Sequence, residues 1–213
     1  MNVIKHTRFV WELENFIDDE ELTYFNDLVD FLKPTIAPEW RNPQRDNNTC
    51  DLSLNPDHAE LDLMASQWVD KAHRYYVQNN KKVFYNWKDR PLDDYSIAHS
   101  WAGTTILRTY DPSDTYHWHT DHSPNEIAEY SYIIYLNDDF EGGETQFKYD
   151  NITVSPKRAS VLCFPVDNYH LHRGLEVKSG HKRIIWNCLY RWKIMRTCPE
   201  ILRTQRRAST SIW

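Results

Sequence analysis

His119-Thr120-Asp121 places a histidine and a carboxylate two residues apart, and on a strand such residues point to the same side and could bind one metal ion together. Alone the triplet carries little weight, because a chain with ten histidines and this much aspartate is expected to contain about one by chance. The signal strengthens downstream. His172 closes a strand-like run, and Lys182 follows it beyond Gly174 and a Lys178-Ser179-Gly180 turn. If the two lie on antiparallel strands joined by that turn, about 4.8 Å apart, the Lys182 ammonium sits roughly a small dicarboxylate's length from a metal at His172. Two histidines and one carboxylate on a face of an octahedral Fe(II) leave three positions open. A 2-oxo acid can fill two of them and O2 the third. The far carboxylate of 2-oxoglutarate then needs a cation such as Lys182.

These residues need elements to position them. Asp18 is placed to cap a helix whose first turn is acidic, with Ile17 able to staple against Leu22. Leu22, Phe25, Leu28, Val29 and Leu32 recur at helical spacing until Pro34 stops the run. Asn55-Pro56 opens a second helix, with Leu61, Met64, Trp68, Ala72 and Tyr75 as its apolar stripe. Residues 34–55, rich in Pro, Asn and Asp, read as a long loop. From about residue 96 the pattern changes to short strands: Thr104–Tyr110, Tyr130–Leu136, Glu144–Phe147, Ile152–Val154, Arg158–Phe164, Tyr169–His172 and Arg183–Tyr190. Strands without intervening helices indicate an antiparallel sandwich or barrel. The expectation is one α+β domain, with helical support over 1–95, a catalytic core over 96–192 and a basic tail over 193–213.

The bulk properties fit a folded globule: 213 residues, 40% hydrophobic and 14% aromatic, with no low-complexity tract. A formal charge of −6 argues against a dedicated nucleic-acid binder. The arginines of the tail (Arg196, Arg203, Arg206, Arg207) read as a solvated terminus. Cys50, Cys163, Cys188 and Cys198 form no CxxC pair, and Cys163 and Cys188 lie in apolar runs as buried thiols. With no signal peptide at the start and no apolar run of membrane-spanning length, a soluble cytoplasmic protein without disulfides is expected, its oligomeric state open.

Several separate segments carry a resemblance. Tyr110, Tyr116, His119 and Asp121 have Tyr-x5-Tyr-x2-His-x-Asp spacing. Tyr135-Leu136-Asn137-Asp138 is followed by Glu141-Gly142-Gly143-Glu144-Thr145-Gln146-Phe147. Pro156, Ala159, Leu162 and Phe164 form the next segment, and His172-x-Gly174-x2-Val177-x2-Gly180-x-Lys182 the last, with Trp186 beyond. From Thr105 to Tyr190 the chain thereby resembles the Fe(II)/2-oxoglutarate dioxygenases, and among them the prolyl 4-hydroxylase-like branch. The resemblance implies a double-stranded β-helix, a jelly-roll barrel with the metal inside its open end. It implies Fe(II) held by His119, Asp121 and His172, the C5 carboxylate of 2-oxoglutarate on Lys182, and a pocket lined by Tyr135, Tyr110 and Trp186, with Tyr116 a further candidate. O2 completes the cofactor set, with ascorbate as a candidate reductant, and the substrate implied is a prolyl residue of a peptide or protein. Three positions depart from the pattern: Ala159 stands where glycine is usual, Asp111-Pro112-Ser113-Asp114 replaces a glycine-rich stretch, and Glu176 replaces a common proline.

Rival readings remain open at this stage. By strand alternation His170 shares a face with His172 and competes as distal ligand, while His117 and His122 read as rim residues. Arg183 must point away from Lys182. Trp186 fits a core position as well as a co-substrate contact. The same chemistry on another amino acid or small molecule, a non-catalytic metal-binding jelly roll, and a zinc hydrolase are the alternatives. Nucleic-acid dealkylation is disfavoured, because a single Lys182 stands where that branch pairs two arginines and the net charge repels phosphates.

Overall fold

The computed structural model describes residues 1–33, 36, 47–80, 100–121 and 128–191. His122, Cys198, most of the 34–55 loop and the basic tail lie outside them. In chain order the elements are β1 (Asn2–Lys5), β2 (Trp11–Glu14), α1 (Asp19–Phe31), β3 (Asn48–Asp51), α2 (Ala59–Asn79), β4 (Ser100–Ala102), β5 (Ile106–Tyr110), β6 (Tyr116–His119) and β7 (Ala128–Tyr135). There follow β8 (Glu141–Gly142), β9 (Thr145–Phe147), β10 (Ile152–Val154), β11 (Val161–Pro165), β12 (His172–Gly174), β13 (Val177–Ser179) and β14 (Lys182–Arg191). The major sheet runs β1-β2-β11-β7-β14-β5-β3, with β4 also on β14, and the minor sheet runs β10-β9-β12-β6. A separate β13-β8 pair completes the strands. Every pairing is antiparallel, and the architecture is an α+β double-stranded β-helix.

Both helices start where capping chemistry allows. The Asp18 carboxylate accepts from the Glu20 and Glu21 amides, and Asn55 accepts from Asp57 N to open a 3-10 turn at Pro56–His58 that leads into α2. Leu22, Phe25, Trp68, Ala72 and Tyr76 pack against the outer face of the major sheet, where Trp11, Leu13, Tyr132, Ile134 and Ile185 complete the larger core. Alternation sends Tyr110, Ile133, Tyr135, Leu162, Phe164 and Ile184 to the inner face, against Tyr116, Phe147 and Val154. The major sheet is thus buried on both sides. Cys50, Cys163 and Cys188 are buried. Among the described residues no helix is long and apolar enough to cross a membrane.

Three sequence expectations are corrected. The amino-terminal third also supplies strands, since β1, β2 and β3 extend the major sheet and β3 falls within the segment read as loop. The run read as strand Tyr169–His172 is a 3-10 turn at Asn168–His170, capped by Asp167, and β12 begins only at His172. His172 and Lys182 are not on one hairpin: β12 pairs with β6 and β9, β14 with β4, β5 and β7. Ala159 has φ +64°, a conformation that suits glycine, and its N–H donates to Tyr135 O while its carbonyl accepts from Phe16 and Ile17.

The helix–sheet interface contains an acid-sensitive group. His73 Nδ1 lies 2.8 Å from the Tyr132 hydroxyl, and its Nε2 is buried without a hydrogen-bond partner among the described residues. Burial pushes its pKa down from 6.5 to about 4, against a smaller opposing pull from Asp70. The unfolded chain therefore takes up a proton that the folded protein refuses. The stabilisation is present above pH 6.5 and is lost as pH falls toward 4, roughly 3 kcal/mol across the window. A His73→Leu variant should narrow the difference in unfolding free energy between pH 7 and about pH 4.5 by about 2 kcal/mol in urea titrations. An unchanged difference would show that another group governs acid sensitivity.

Candidate metal centre

His119 and His172 meet because they are direct cross-strand partners in the β6–β12 pair, which puts both side chains on one face. Their ring centroids are 4.2 Å apart. Asp121 lies just past the end of β6, and its carboxylate turns back so that Oδ1 is 3.4 Å from His119 Nε2 and Oδ2 is 3.7 Å from His172 Nε2. All three donor atoms lie within 4.8 Å of one another. The cluster contains His172 and not His170. His170 sits in the 3-10 turn, where strand alternation does not apply, and its Nδ1 contacts Asp167 at 2.7 Å. His117, on β6, is exposed and is not part of the cluster.

The surroundings determine which atoms face inward. His119 Nδ1 donates to His117 O at 2.8 Å, and His172 Nδ1 donates to His170 O at 2.9 Å. A carbonyl only accepts, so Nδ1 carries a proton and each ring turns Nε2 toward the Asp121 carboxylate. Ser131 Oγ donates to Asp121 Oδ2 at 2.6 Å and accepts from Trp186 Nε1 at 3.1 Å. Phe147 and Phe164 pack on the His172 ring at 5.5 and 4.9 Å. Burial pushes the His172 pKa down to about 4. For Asp121 burial acts upward, but the two imidazoles and the Ser131 hydroxyl outweigh it and hold the carboxyl below the ordinary range. At neutral pH Asp121 is a carboxylate and the His172 imidazole is neutral, with His119 Nε2 turned toward the same point. Such a convergence fits a divalent cation, and the donor set is the two-histidine, one-carboxylate set of non-haem Fe(II).

Lys182 enters from the opposite sheet, at the start of β14 beside Tyr110. It is 3% exposed, its Nζ donates to Gly143 O at 2.7 Å and lies 4.9 Å from the Tyr110 ring. Burial pushes its pKa down to about 7, Glu144 acts upward and Arg108 adds a smaller downward push. The Tyr135 hydroxyl pairs with Thr145 at 2.8 Å and is held protonated by burial. Gly143, at φ +68°, lets the chain turn so that its carbonyl meets the ammonium. Arg183 points outward and pairs with Asp30, as alternation requires.

His119, His172, Lys182, Tyr110, Tyr116 and Trp186 line one cavity of about 20 Å³, so a dicarboxylate enters only as side chains rotate. Sequence reasoning missed two contributors. Ser131 gives no sequence signal of its own, because its role depends on β7 facing Asp121. Arg108 also lines this cavity and shares the inward phase of Tyr110 on β5, a signal that period-two alternation could have supplied. A separate open groove of about 840 Å³, which shares no lining residue with this cavity, is lined by Phe9, Tyr130, Tyr149, Tyr169 and the carboxylate-bearing Glu129 and Asp167 among others.

Comparisons with known proteins bear on this geometry. Residues 105–191 match the model of the 2OG-Fe(II) oxygenase superfamily. No curated protein sequence matches significantly. Among solved structures, the viral collagen prolyl hydroxylase of Paramecium Bursaria Chlorella virus-1, determined with 2OG, superposes with TM-score 0.62 at 20% identity, over 85% of this chain and 95% of that one. The Trichoplax adhaerens prolyl hydroxylase in complex with a hypoxia-inducible-factor peptide gives 0.67 at 13% identity, over 90% and 88%. A Pseudomonas putida prolyl-4-hydroxylase gives 0.60 at 14% identity, over 87% and 94%.

Proposed function

We propose that this chain, whose residues 105–191 match the model of the 2OG-Fe(II) oxygenase superfamily, hydroxylates a C–H bond of a prolyl residue in a peptide, with His119, Asp121 and His172 as iron ligands. The observation that carries the reading is the convergence of the His119, Asp121 and His172 donor atoms within 4.8 Å, with both histidines lining a cavity shared with a buried lysine that has no carboxylate within ion-pair distance among the described residues. When bound, Fe(II) supplies oxidative decarboxylation: 2-oxoglutarate and O2 are consumed, succinate and CO2 are released, and one oxygen atom is transferred to the substrate.

The chain's own residues do the positioning. The His117 and His170 carbonyls hold both imidazoles in the metal-binding tautomer, and Ser131 orients Asp121. Lys182 exchanges Gly143 O for the C5 carboxylate, and Tyr110 and Tyr135 pack along the co-substrate. Phe147 and Phe164 exclude water behind His172. The Trichoplax adhaerens prolyl hydroxylase, similar in fold and determined with a peptide fragment, supports a peptide substrate. The prolyl hydroxylases this chain resembles in fold favour proline as the target.

The test incubates iron-loaded protein with 2-oxoglutarate, O2 and proline-containing peptides. Succinate formation and a peptide mass gain of one oxygen on proline are expected. Succinate no greater than that of a His172→Ala variant would refute the reading. Turnover with oxygen placed on another residue would overturn only the substrate.

A further inference from the structure

Arg108 is a strongly basic side chain in the cavity that the iron-and-lysine scheme leaves without a task, whereas Arg173, which also lines it, donates to Gln146 Oε1. Arg108 is 5% exposed, and its guanidinium lies between the rings of Tyr116, at 4.9 Å, and Trp186, at 4.8 Å. It is hydrogen-bonded to Tyr110, yet its Nε is buried with no hydrogen-bond partner among the described residues. Among the described residues no carboxylate forms an ion pair with it. A guanidinium with an orphaned donor, taken out of water and facing a cavity, is costly unless an anion completes it. Stacking on two aromatic rings holds the plane of the group without satisfying Nε–H.

The register says which anion. Lys182 pairs with Tyr110, and Arg108 pairs with Ile184, two residues further along both strands. Beyond Ile184 comes Trp186, whose indole binds Ser131 and through it Asp121. Arg108 therefore stands between Lys182 and the metal ligands, displaced from Lys182 by roughly 6 to 7 Å along the strand. The two carboxyl carbons of 2-oxoglutarate are separated by four C–C bonds, roughly 5 Å when extended. The geometry points to Arg108 as the anchor of the C1 carboxylate, donating to the oxygen that faces away from the metal while Lys182 holds C5. This inference rests on 2-oxoglutarate being the co-substrate. Arg108 and Lys182 then give one cation to each carboxylate, and the planar fork of Arg108 orients the 2-oxo end before O2 enters.

The test measures equilibrium binding to the Mn(II)-loaded protein, which needs no turnover, by calorimetry or tryptophan fluorescence. The ligands are 2-oxoglutarate and 2-oxopentanoate, which keeps the 2-oxo acid end but lacks the far carboxylate; the weaker ligand is read by competition. Arg108→Met is expected to weaken both by the same factor, about 30-fold or more. Lys182→Met should weaken 2-oxoglutarate alone. An Arg108→Met protein that binds 2-oxoglutarate as the wild type does would overturn the assignment. So would one that loses 2-oxoglutarate but not 2-oxopentanoate, because Arg108 would then serve the C5 end. Should Arg108→Met fail to fold, Arg108→Lys decides: it keeps the charge but loses the fork, and about a tenfold loss on both ligands is expected, with no loss overturning the claim. If the wild-type protein binds no 2-oxoglutarate, the proposed function itself fails, an outcome distinct from these.

Discussion

Replacing Lys182 with Met should weaken 2-oxoglutarate binding by at least about 30-fold and leave the fold intact, because one partner of a desolvated charge pair is worth about 2 to 5 kcal/mol. The aliphatic stem that packs on Tyr110 and Tyr135 is retained in Met, so thermal stability without ligand should not fall. The wild-type protein also carries a pH signature. Burial has lowered the Lys182 pKa to about 7 in the free protein. Below pH 7 the ammonium is ready for the carboxylate and this group adds no pH dependence. Above pH 7 the amine is neutral and must take up a proton on binding, so the dissociation constant should rise about tenfold per pH unit. Titrations at pH 8 in two buffers of different ionisation enthalpy should register close to one proton taken up. A dissociation constant that stays level from pH 7 to 9 would show that Lys182 is not the anchor.

The second large effect concerns the metal. Asp121→Asn keeps the shape of the side chain and removes the only anion of the donor set, so Fe(II) or Mn(II) affinity should fall on the order of 100-fold or more. Ser131→Ala leaves the donors in place but frees the carboxylate, and a loss of about 10- to 100-fold is expected. Thermal unfolding provides a readout independent of catalysis. Saturating metal should stabilise the wild type by about 4 kcal/mol at a thousandfold excess over its dissociation constant, and Asp121→Asn should lose nearly all of that response. The response should persist down to mildly acid pH, since His172 stays neutral until about pH 4. A full metal-induced shift in Asp121→Asn would rule out the triad as the binding site.

Local signals in the chain translated directly into local structure. Asp18 caps α1 as its position implied, Asn55 and Pro56 open the turn into α2, and Ile152–Val154 is a strand with the bounds expected of it. The N-terminal hairpin escaped notice because Asn2–Lys5 and Trp11–Glu14 are too short for alternation to be distinctive. The link between His172 and Lys182 was reasoned through the wrong contact. Lys178–Gly180 does not join strands that pair with each other: Lys178 and Ser179 belong to β13, which pairs with β8, and Gly180 leads toward β14 of the major sheet, so His172 and Lys182 stand on different sheets. Ala159 shows the same division from the other side: a departure from the glycine of related sequences is visible in the chain, but its φ of +64° is not.

Determined by the sequence alone were the chemical types, their spacing and the periodicities that build strands and helices, because these depend on residues close together in the chain. Thus His119 and Asp121 share a side, Arg183 points away from Lys182, and the resemblance of the 105–190 segment is readable without coordinates. Tertiary structure decided what crosses between strands. It set His172 opposite His119, excluded His170 by placing it in a 3-10 turn, brought Ser131 under Asp121, and buried Arg108 in the same cavity as Lys182. Those outcomes depend on strand register and on which sheet each strand joins, and a shift of one residue would turn every side chain to the other face.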